Sequence, residues 1–426
     1  MKKFSAALLI ALWALYGVAC AALPDQDIVI LYTNDVHCGV DENIGYAGLA
    51  FYRDEIAAGK AARPCASGGT RASPLRGQAA QSEKRTPYIA LVDAGDAVQG
   101  AVIGTVSNGR YLIDIMNAVG YDVAVPGNHE FDYGAEGVTD MLNCAADYDG
   151  ALPAFVSSNV SFEGELTDEQ KNFKAACDNY GITDYYITEV NGVKIAFFGL
   201  MGLDSIECSP TSGQNWDNYI IAAKQTVEEI GDKADVIVAL SHSGTNGDGK
   251  TGEDIDLAKA VPGIDIIISG HTHTQYDEAV MVGDTIIGSQ GCYLTNVGRL
   301  TFTYDGRDVK LKDYDLIRID ESIAEDPEMA AYVQECIEVA NESYVKDYGY
   351  SIYFGEDSLR TDSENFTITE ITSQTVDTDD MSDTMSAVAT TILNDKLYTM
   401  NAELTFYYNK SYGEWQLYDI EAPEYT

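Results

Sequence analysis

Histidine is scarce in this chain, five in 426 residues. Each lies in a short segment that also carries a carboxylate, an amide or hydroxyls. The segments are Thr33-Asn34-Asp35-Val36-His37, Gly127-Asn128-His129-Glu130-Phe131-Asp132, Ser241-His242-Ser243-Gly244 and Ser269-Gly270-His271-Thr272-His273, with a histidine-free fifth, Asp93-Ala94-Gly95-Asp96, between the first two. Oxygen and imidazole donors in this mixture suit Mn, Zn, Fe or a similar divalent ion. The cysteines show no Cys-x-x-Cys pair, which argues against a structural zinc site or an iron–sulfur cluster. The Asp-x-His and His-x-His spacings would put alternate side chains on one side of an extended segment, so that both reach one site. Two ions about 3.5–4 Å apart need a bridging carboxylate, and Asp96, beside Gly95 in a turn, is the candidate. Any one segment alone reads as ordinary turn or core chemistry; five together, each at a strand end, do not.

The elements that position these residues come from apolar runs. Ile28–Tyr32, Tyr88–Val92, Asp122–Val125, Phe155-Val156, Val193–Phe198, Asp235–Leu240 and Ile264–Ile268 alternate with helix-like stretches from Asp27 to about Arg318. That alternation is the pattern of an α/β domain, expected over 25–318. Several runs end at one of the five segments, where open α/β sheets carry their ligands. Glu278–Met281, Thr285–Ile287 and Val297–Tyr304 follow closely with Gly-rich turns, predicting antiparallel strands that finish a sheet. Residues 60–86, rich in Ala, Gly, Ser and Arg, read as a surface loop insertion.

Asp326-Pro327 opens a predicted connecting helix within 319–350, with Met329, Val333, Ile337 and Ala340 at helical spacing. The texture then turns rich in Thr, Asp and Tyr. Asn401–Tyr408 and Glu414–Ile420 predict a β-hairpin, and 351–426 a small α+β appendage. Asp320–Thr426 holds 24 acidic residues against 4 basic ones, a solvated surface.

Lys2-Lys3 followed by the apolar stretch Ala6–Tyr16 is too short to span a bilayer and reads as an export signal over 1–21. Ala19-Cys20-Ala21 offers a cleavage site, and Cys20 an alternative lipid anchor. Setting Cys20 aside, seven of the eight cysteines remain, so at least one is unpaired within the chain. Cys38 reads as a small buried thiol beside the site. The net charge of −42 argues against nucleic-acid backbones and anionic lipid as partners. It does not exclude a small phosphate substrate, because bound divalent ions reverse the local field.

With all five segments in this order, the sequence resembles the calcineurin-like metallophosphoesterases. Thr-Asn-Asp-x-His with Gly-Asn-His-Glu-Phe-Asp narrows the likeness to the bacterial 5'-nucleotidase and UDP-sugar hydrolase branch, over about residues 27–318. The resemblance implies a sandwich of two mixed β-sheets flanked by helices. It implies one metal held by Asp35, His37 and His273, a second by Asn128, His242 and His271, and Asp96 between them. His129, oriented by Asp132, would face the leaving group as the acid. A metal-activated water would attack phosphorus in line, the metals lowering its pKa from about 15.7 towards about 7.

The likeness stops at the carboxyl-terminal part. That family carries a larger second domain supplying arginines for phosphate and aromatic residues for the base. Here fewer than 80 residues follow Ser351, with Arg360 their only arginine, so no substrate-binding residue is identified. The reading is an exported phosphohydrolase acting on phosphomonoesters of nucleotides or related compounds. A cyclic-nucleotide phosphodiesterase would instead prefer a diester, and a non-catalytic surface binding protein would have no use for His129 and Asp132.

Overall fold

The computed structural model describes residues 27–41, 44–58, 89–146, 152–348, 367–377, 382–393, 396–409 and 414–421. The export segment, Cys20, the predicted insertion over 60–86 and the turn of the carboxyl-terminal hairpin lie outside them. No helix among the described residues is long and apolar enough to cross a membrane.

The chain begins with β1 (Ile28–Thr33) and α1 (Gly45–Ala57), then β2 (Ile89–Asp93), α2 (Val102–Ser107), α3 (Arg110–Val119) and β3 (Val123–Ala124). A 3-10 turn over His129–Phe131 leads into α4 (Gly134–Ala146), β4 (Ala154–Phe155), β5 (Val160–Ser161) and α5 (Asp168–Tyr180). Next come β6 (Tyr185–Val190), β7 (Val193–Met201), α6 (Leu203–Glu207), β8 (Asn215–Trp216) and α7 (Tyr219–Ile230). They are followed by β9 (Val236–His242), α8 (Glu253–Ala260), β10 (Ile266–Ser269), β11 (Val280–Val282), β12 (Thr285–Gly288), β13 (Asn296–Tyr304) and β14 (Val309–Arg318).

Two six-stranded sheets result, one ordered β14-β13-β1-β2-β3-β4 and the other β11-β12-β10-β9-β7-β6. Each is mixed: β1, β2, β3 and β4 run parallel, as do β7, β9, β10 and β12, with antiparallel strands at the flanks. The period-2 alternation of each apolar run explains the layering. Ile28, Ile30, Tyr32, Ala90 and Val92 of the first sheet pack with Ile195, Phe197, Val236, Val238, Leu240, Ile266 and Ile268 of the second in one core. The intervening residues Ala196, Phe198, Leu200, Ala239 and Ile267 face the other way and pack under Tyr219, Ala222 and Ala223 of α7 and Ile255, Leu257 and Ala258 of α8. Central strands buried on both faces therefore read as unbroken apolar runs. Each fully buried Val, Ile or Phe adds roughly 1.5–3 kcal/mol, which makes this sandwich a stiff platform.

The structure corrects one expectation. The runs after Thr272 do not finish a single sheet. β12 pairs parallel with β10 and antiparallel with β11, whereas β13 crosses to the first sheet and pairs antiparallel with β1, Tyr32 opposite Gly298.

The chain divides into compact units at Cys336/Ile337, inside α9 (Pro327–Tyr348). In the second unit β15 (Thr367–Asp377), β16 (Ser382–Leu393), β17 (Lys396–Asn409) and β18 (Glu414–Glu421) form an antiparallel meander. The predicted hairpin corresponds to β17 and β18, with Tyr408 opposite Trp415.

Candidate metal centre

All seven predicted donors sit at the carboxyl ends of five parallel strands: Asp35 and His37 after β1, Asp96 after β2, Asn128 after β3, His242 closing β9, His271 and His273 after β10. The expected reason for their convergence needs correcting. The segments are not extended: Asp35, His37, Asp96, His271 and His273 have φ of 50, 47, 61, 76 and 51°. Left-handed backbone at non-glycine residues costs about 1–3 kcal/mol each and persists only where the surroundings impose it. Around Asp35, His37 and Asp96 a hydrogen-bonded ladder imposes it, with Asp35 N donating to Gly95 O at 2.9 Å, His37 N to Asp96 O at 2.9 Å and Cys38 N to Ala97 O at 3.0 Å. The loops after β1 and β2 thus curl together and aim their side chains inward.

Two donor groups gather six of the seven predicted donors. Asp35, His37 and His273 have ligand atoms within 4.8 Å of one another, and so do Asp96, His242 and His271. The Asp96 Oδ2 atom lies 2.9 Å from His242 Nε2 and 4.0 Å from His37 Nε2, between the groups. Its Oδ1 accepts from His129 N at 2.8 Å. Asn128 Oδ1 is 3.2 Å from His242 Nε2, which brings the amide to the second group. Asp35 is held on both oxygens, Oδ2 by Asn34 Nδ2 at 2.6 Å and Oδ1 by His271 N at 2.9 Å.

The electrostatics fit cations. His37 and His273 bring their Nε2 atoms to 2.9 Å, a separation at which two imidazoles share one proton or face one cation. Burial foremost lowers the His37 pKa to about 4, so its lone pair is free for a metal. Burial, joined by the Asp96 charge, raises Asp35. For Asp96 burial opposes the charge, but the His242 imidazolium outweighs it and holds the carboxyl below the usual carboxylate range. His242 is the counterpart: burial opposes its proton, yet Asp96 lifts it to about 10. Because His242 Nδ1 donates to Ala94 O at 2.7 Å, the extra proton sits on Nε2, and a cation bound there would have to displace it.

His129 and Asp132 stand at the rim, both about a third exposed, with His129 Nδ1 donating to Asp132 Oδ2 at 2.7 Å. Burial opposes charge on His129, but this hydrogen bond and the Asp96 field raise its pKa to about 9. The ring lies edge-on to His37, 5.0 Å between centroids, and one of its nitrogens comes within 4.8 Å of the His37 and Asp96 donor atoms.

Several contributors escape the sequence reading. Glu130, 2% exposed, accepts from Asp96 N at 3.0 Å, Ala97 N at 2.8 Å, Val98 N at 3.3 Å and Gly127 N, so it ties the Asp96 loop to the Asn128 loop. Its only sequence signal is its place inside the Asn128–Asp132 segment. The Tyr293 ring borders His37 and His273 at 5.5 and 5.8 Å and is 38% exposed. Asp204 and Ser205 of α6 reach His271 and Asn128. Cys38 is buried, and burial pushes its thiol up to about 12, so it stays protonated and inert.

Gly127 leaves no room for a side chain. A Cβ there would lie 2.3 Å from Asp96 Oδ1 and 2.7 Å from His242 Nε2. Gly127→Ala is expected to displace Asp96 and destabilise the fold by about 1–3 kcal/mol. Metal content by mass spectrometry should fall below that of the wild type; full metal content with an unchanged melting temperature would contradict this account.

The family model for calcineurin-like phosphoesterase matches residues 28–275. The trifunctional nucleotide phosphoesterase protein YfkN of Bacillus subtilis is 31% identical over 326 residues, covering 71% of this chain and 20% of that protein. A snake venom 5'-nucleotidase from Gloydius brevicauda is 29% identical over 268 residues, 60% of this chain and 39% of the relative. Among solved structures, a 5'-nucleotidase precursor from Thermus thermophilus shares the fold at a TM-score of 0.55 and 21% identity, covering 75% of this chain and 59% of the other. The chain thus spans between one fifth and two fifths of the length of these two curated relatives.

Proposed function

The chain belongs to the calcineurin-like phosphoesterase family, and from that premise we propose that it is an exported, metal-dependent phosphoester hydrolase acting on nucleotide phosphomonoesters or related small phosphoesters. The observation that carries this reading is the pair of neighbouring donor groups with Asp96 placed between them, and a histidine–carboxylate pair at their rim. Asp35, His37 and His273 would hold one divalent ion and Asn128, His242 and His271 a second, with Asp96 common to both. Bound divalent ions supply Lewis-acid activation of water and neutralise the charge that develops on phosphoryl oxygens.

The protein's own groups do the rest. The Asp132 carboxylate fixes His129 through Nδ1, which leaves Nε2 to hold a proton for the departing alkoxide. The stiff sandwich behind the strand ends keeps the donors from drifting when charge moves. A net charge of −42 favours a small substrate drawn in by the metals over a polyanion. The names of the relatives, a nucleotide phosphoesterase and 5'-nucleotidases, support nucleotides as the substrate class. Lys2-Lys3 and the apolar stretch to Tyr16 support export.

The test is phosphate release from AMP by protein stripped with EDTA and reloaded with Mn²⁺, beside a diester such as bis(p-nitrophenyl) phosphate. Release is expected only after reloading, with AMP the better substrate. Asp132→Asn should lower kcat about 10²-fold, because a misoriented acid forfeits most of its contribution, while metal content stays that of the wild type. A better rate on the diester would convert the reading to a phosphodiesterase. No hydrolysis by fully metal-loaded protein would reject catalysis.

A further inference from the structure

We propose that Asp204 is a positioning residue that sets the tautomer of His271 and thereby the affinity of the second donor group for its metal, an inference that rests on the metal-centre reading above. The Asp204 Oδ2 atom lies 2.9 Å from His271 Nε2. A carboxylate only accepts, so Nε2 carries the hydrogen. An imidazole that binds a metal does so in its neutral form, with a single ring proton. Placing that proton on Nε2 leaves the lone pair on Nδ1, and that nitrogen is assigned to the group in which a His271 ring nitrogen stands with Asp96 and His242. A carboxylate behind a metal-binding imidazole both orients the ring and raises its basicity.

The surroundings of Asp204 are built for this contact. Gly202 N, just before α6, donates to His242 O at 3.0 Å, so the turn starts from another donor of the same group. The Glu253 carboxylate accepts from Leu203 N at 2.7 Å and Asp204 N at 3.1 Å, which pins the first turn of α6. One residue on, Ser205, fully buried, donates from Oγ to Asn128 Oδ1 at 3.3 Å. This five-residue helix and its N-cap Gly202 therefore touch three predicted donors, His242 through the Gly202 backbone, Asn128 through Ser205 and His271 through Asp204. The Asp204 side chain is 68% exposed, so water competes for it, and the fixed backbone offsets that competition by holding the carboxylate in place.

The experiment titrates Mn²⁺ into EDTA-stripped protein by calorimetry. Asp204→Ala is expected to weaken one of the two binding events about 10–100-fold, Asp204→Asn less because its amide oxygen still accepts. Glu207→Gln, which removes a neighbouring charge on the same helix without a contact to His271, should bind as the wild type does. Nitrogen-15 spectra of the histidine rings should show His271 as the Nε2–H tautomer in wild type and a tautomer mixture in Asp204→Ala. Equal affinity and the same tautomer in Asp204→Ala would overturn the inference while leaving the metal centre standing. Equal weakening by Glu207→Gln would reduce it to general charge and overturn it as well. Wild-type protein that takes up no Mn²⁺ would reject the inference and the metal-centre reading together.

Discussion

Asp96→Asn is expected to lower the rate of phosphate release about 10³-fold or more, equivalent to roughly 4 kcal/mol of lost transition-state stabilisation. Its metal content should fall below that of the wild type. The substitution keeps shape and removes charge. In the native site one oxygen of Asp96 accepts from His129 N, and the other lies 2.9 Å from His242 Nε2 and 4.0 Å from His37 Nε2. The carboxamide has a single acceptor. If it serves His129 N, the NH₂ group turns to His242 Nε2 and contributes no ligand; if it turns the other way, the His129 amide loses its partner in a partly buried place, at up to about 1–3 kcal/mol. Either way the carboxylate charge that stands between the two donor groups is gone. His129→Asn offers the contrast, since it deletes the rim acid but leaves Asp96, Asn128 and all other donors in position. Its loss should be smaller, about 10²-fold, with metal content intact. Parallel measurements of release from AMP and of bound metal decide the ranking; equal rates and equal metal content in the two variants would remove Asp96 from its central role.

The donors of this centre are legible in the sequence because the signal is one of composition as well as spacing. Five histidines confined to short polar segments that end apolar runs leave few other interpretations. The central strands are legible for the same reason, since burial on both faces writes them as continuous Val, Ile, Leu and Phe. What is hidden depends on contacts distant in sequence. The assignment of β12 and β13 to different sheets cannot be read from two similar apolar runs, because it is decided by pairing with β10 and β1. The left-handed backbone of Asp35, His37 and Asp96 is hidden because no glycine marks those positions; the ladder to the neighbouring loop imposes it. Asp204 lies 67 residues from His271 and sits in a short, exposed turn with no pattern of its own. Glu130 is hidden for a different reason. An acid beside a histidine in a polar segment reads as surface, and only the fold shows four backbone amides closing around it.

That enclosure makes Glu130→Gln the second substitution with a large expected effect. Glu130 Oε1 accepts from Ala97 N and Val98 N, and Oε2 from Asp96 N and Gly127 N. Burial, joined by the Asp96 charge, pushes the carboxyl pKa up, while these amide donors pull it back towards the ionised form. Glutamine fits the volume but replaces one acceptor by a donor. Whichever orientation it takes, two amides meet an NH₂ group and lose their partner where no water replaces it. The cost expected for breaking such a buried charged network is about 3–5 kcal/mol. Against a total stability of roughly 5–15 kcal/mol this is a large fraction. The melting temperature of the metal-stripped protein should fall by about 10 °C, taking roughly 2–4 °C per kcal/mol for a domain of this size. Function is hit through the same bonds, because Asp96 N and Gly127 N fix the two loops that carry Asp96 and Asn128. Mn²⁺ uptake should weaken even at temperatures where the variant remains folded. A variant that melts with the wild type and binds Mn²⁺ equally well would mean that the Asp96 and Asn128 loops are held by β2 and β3 alone, with Glu130 a bystander.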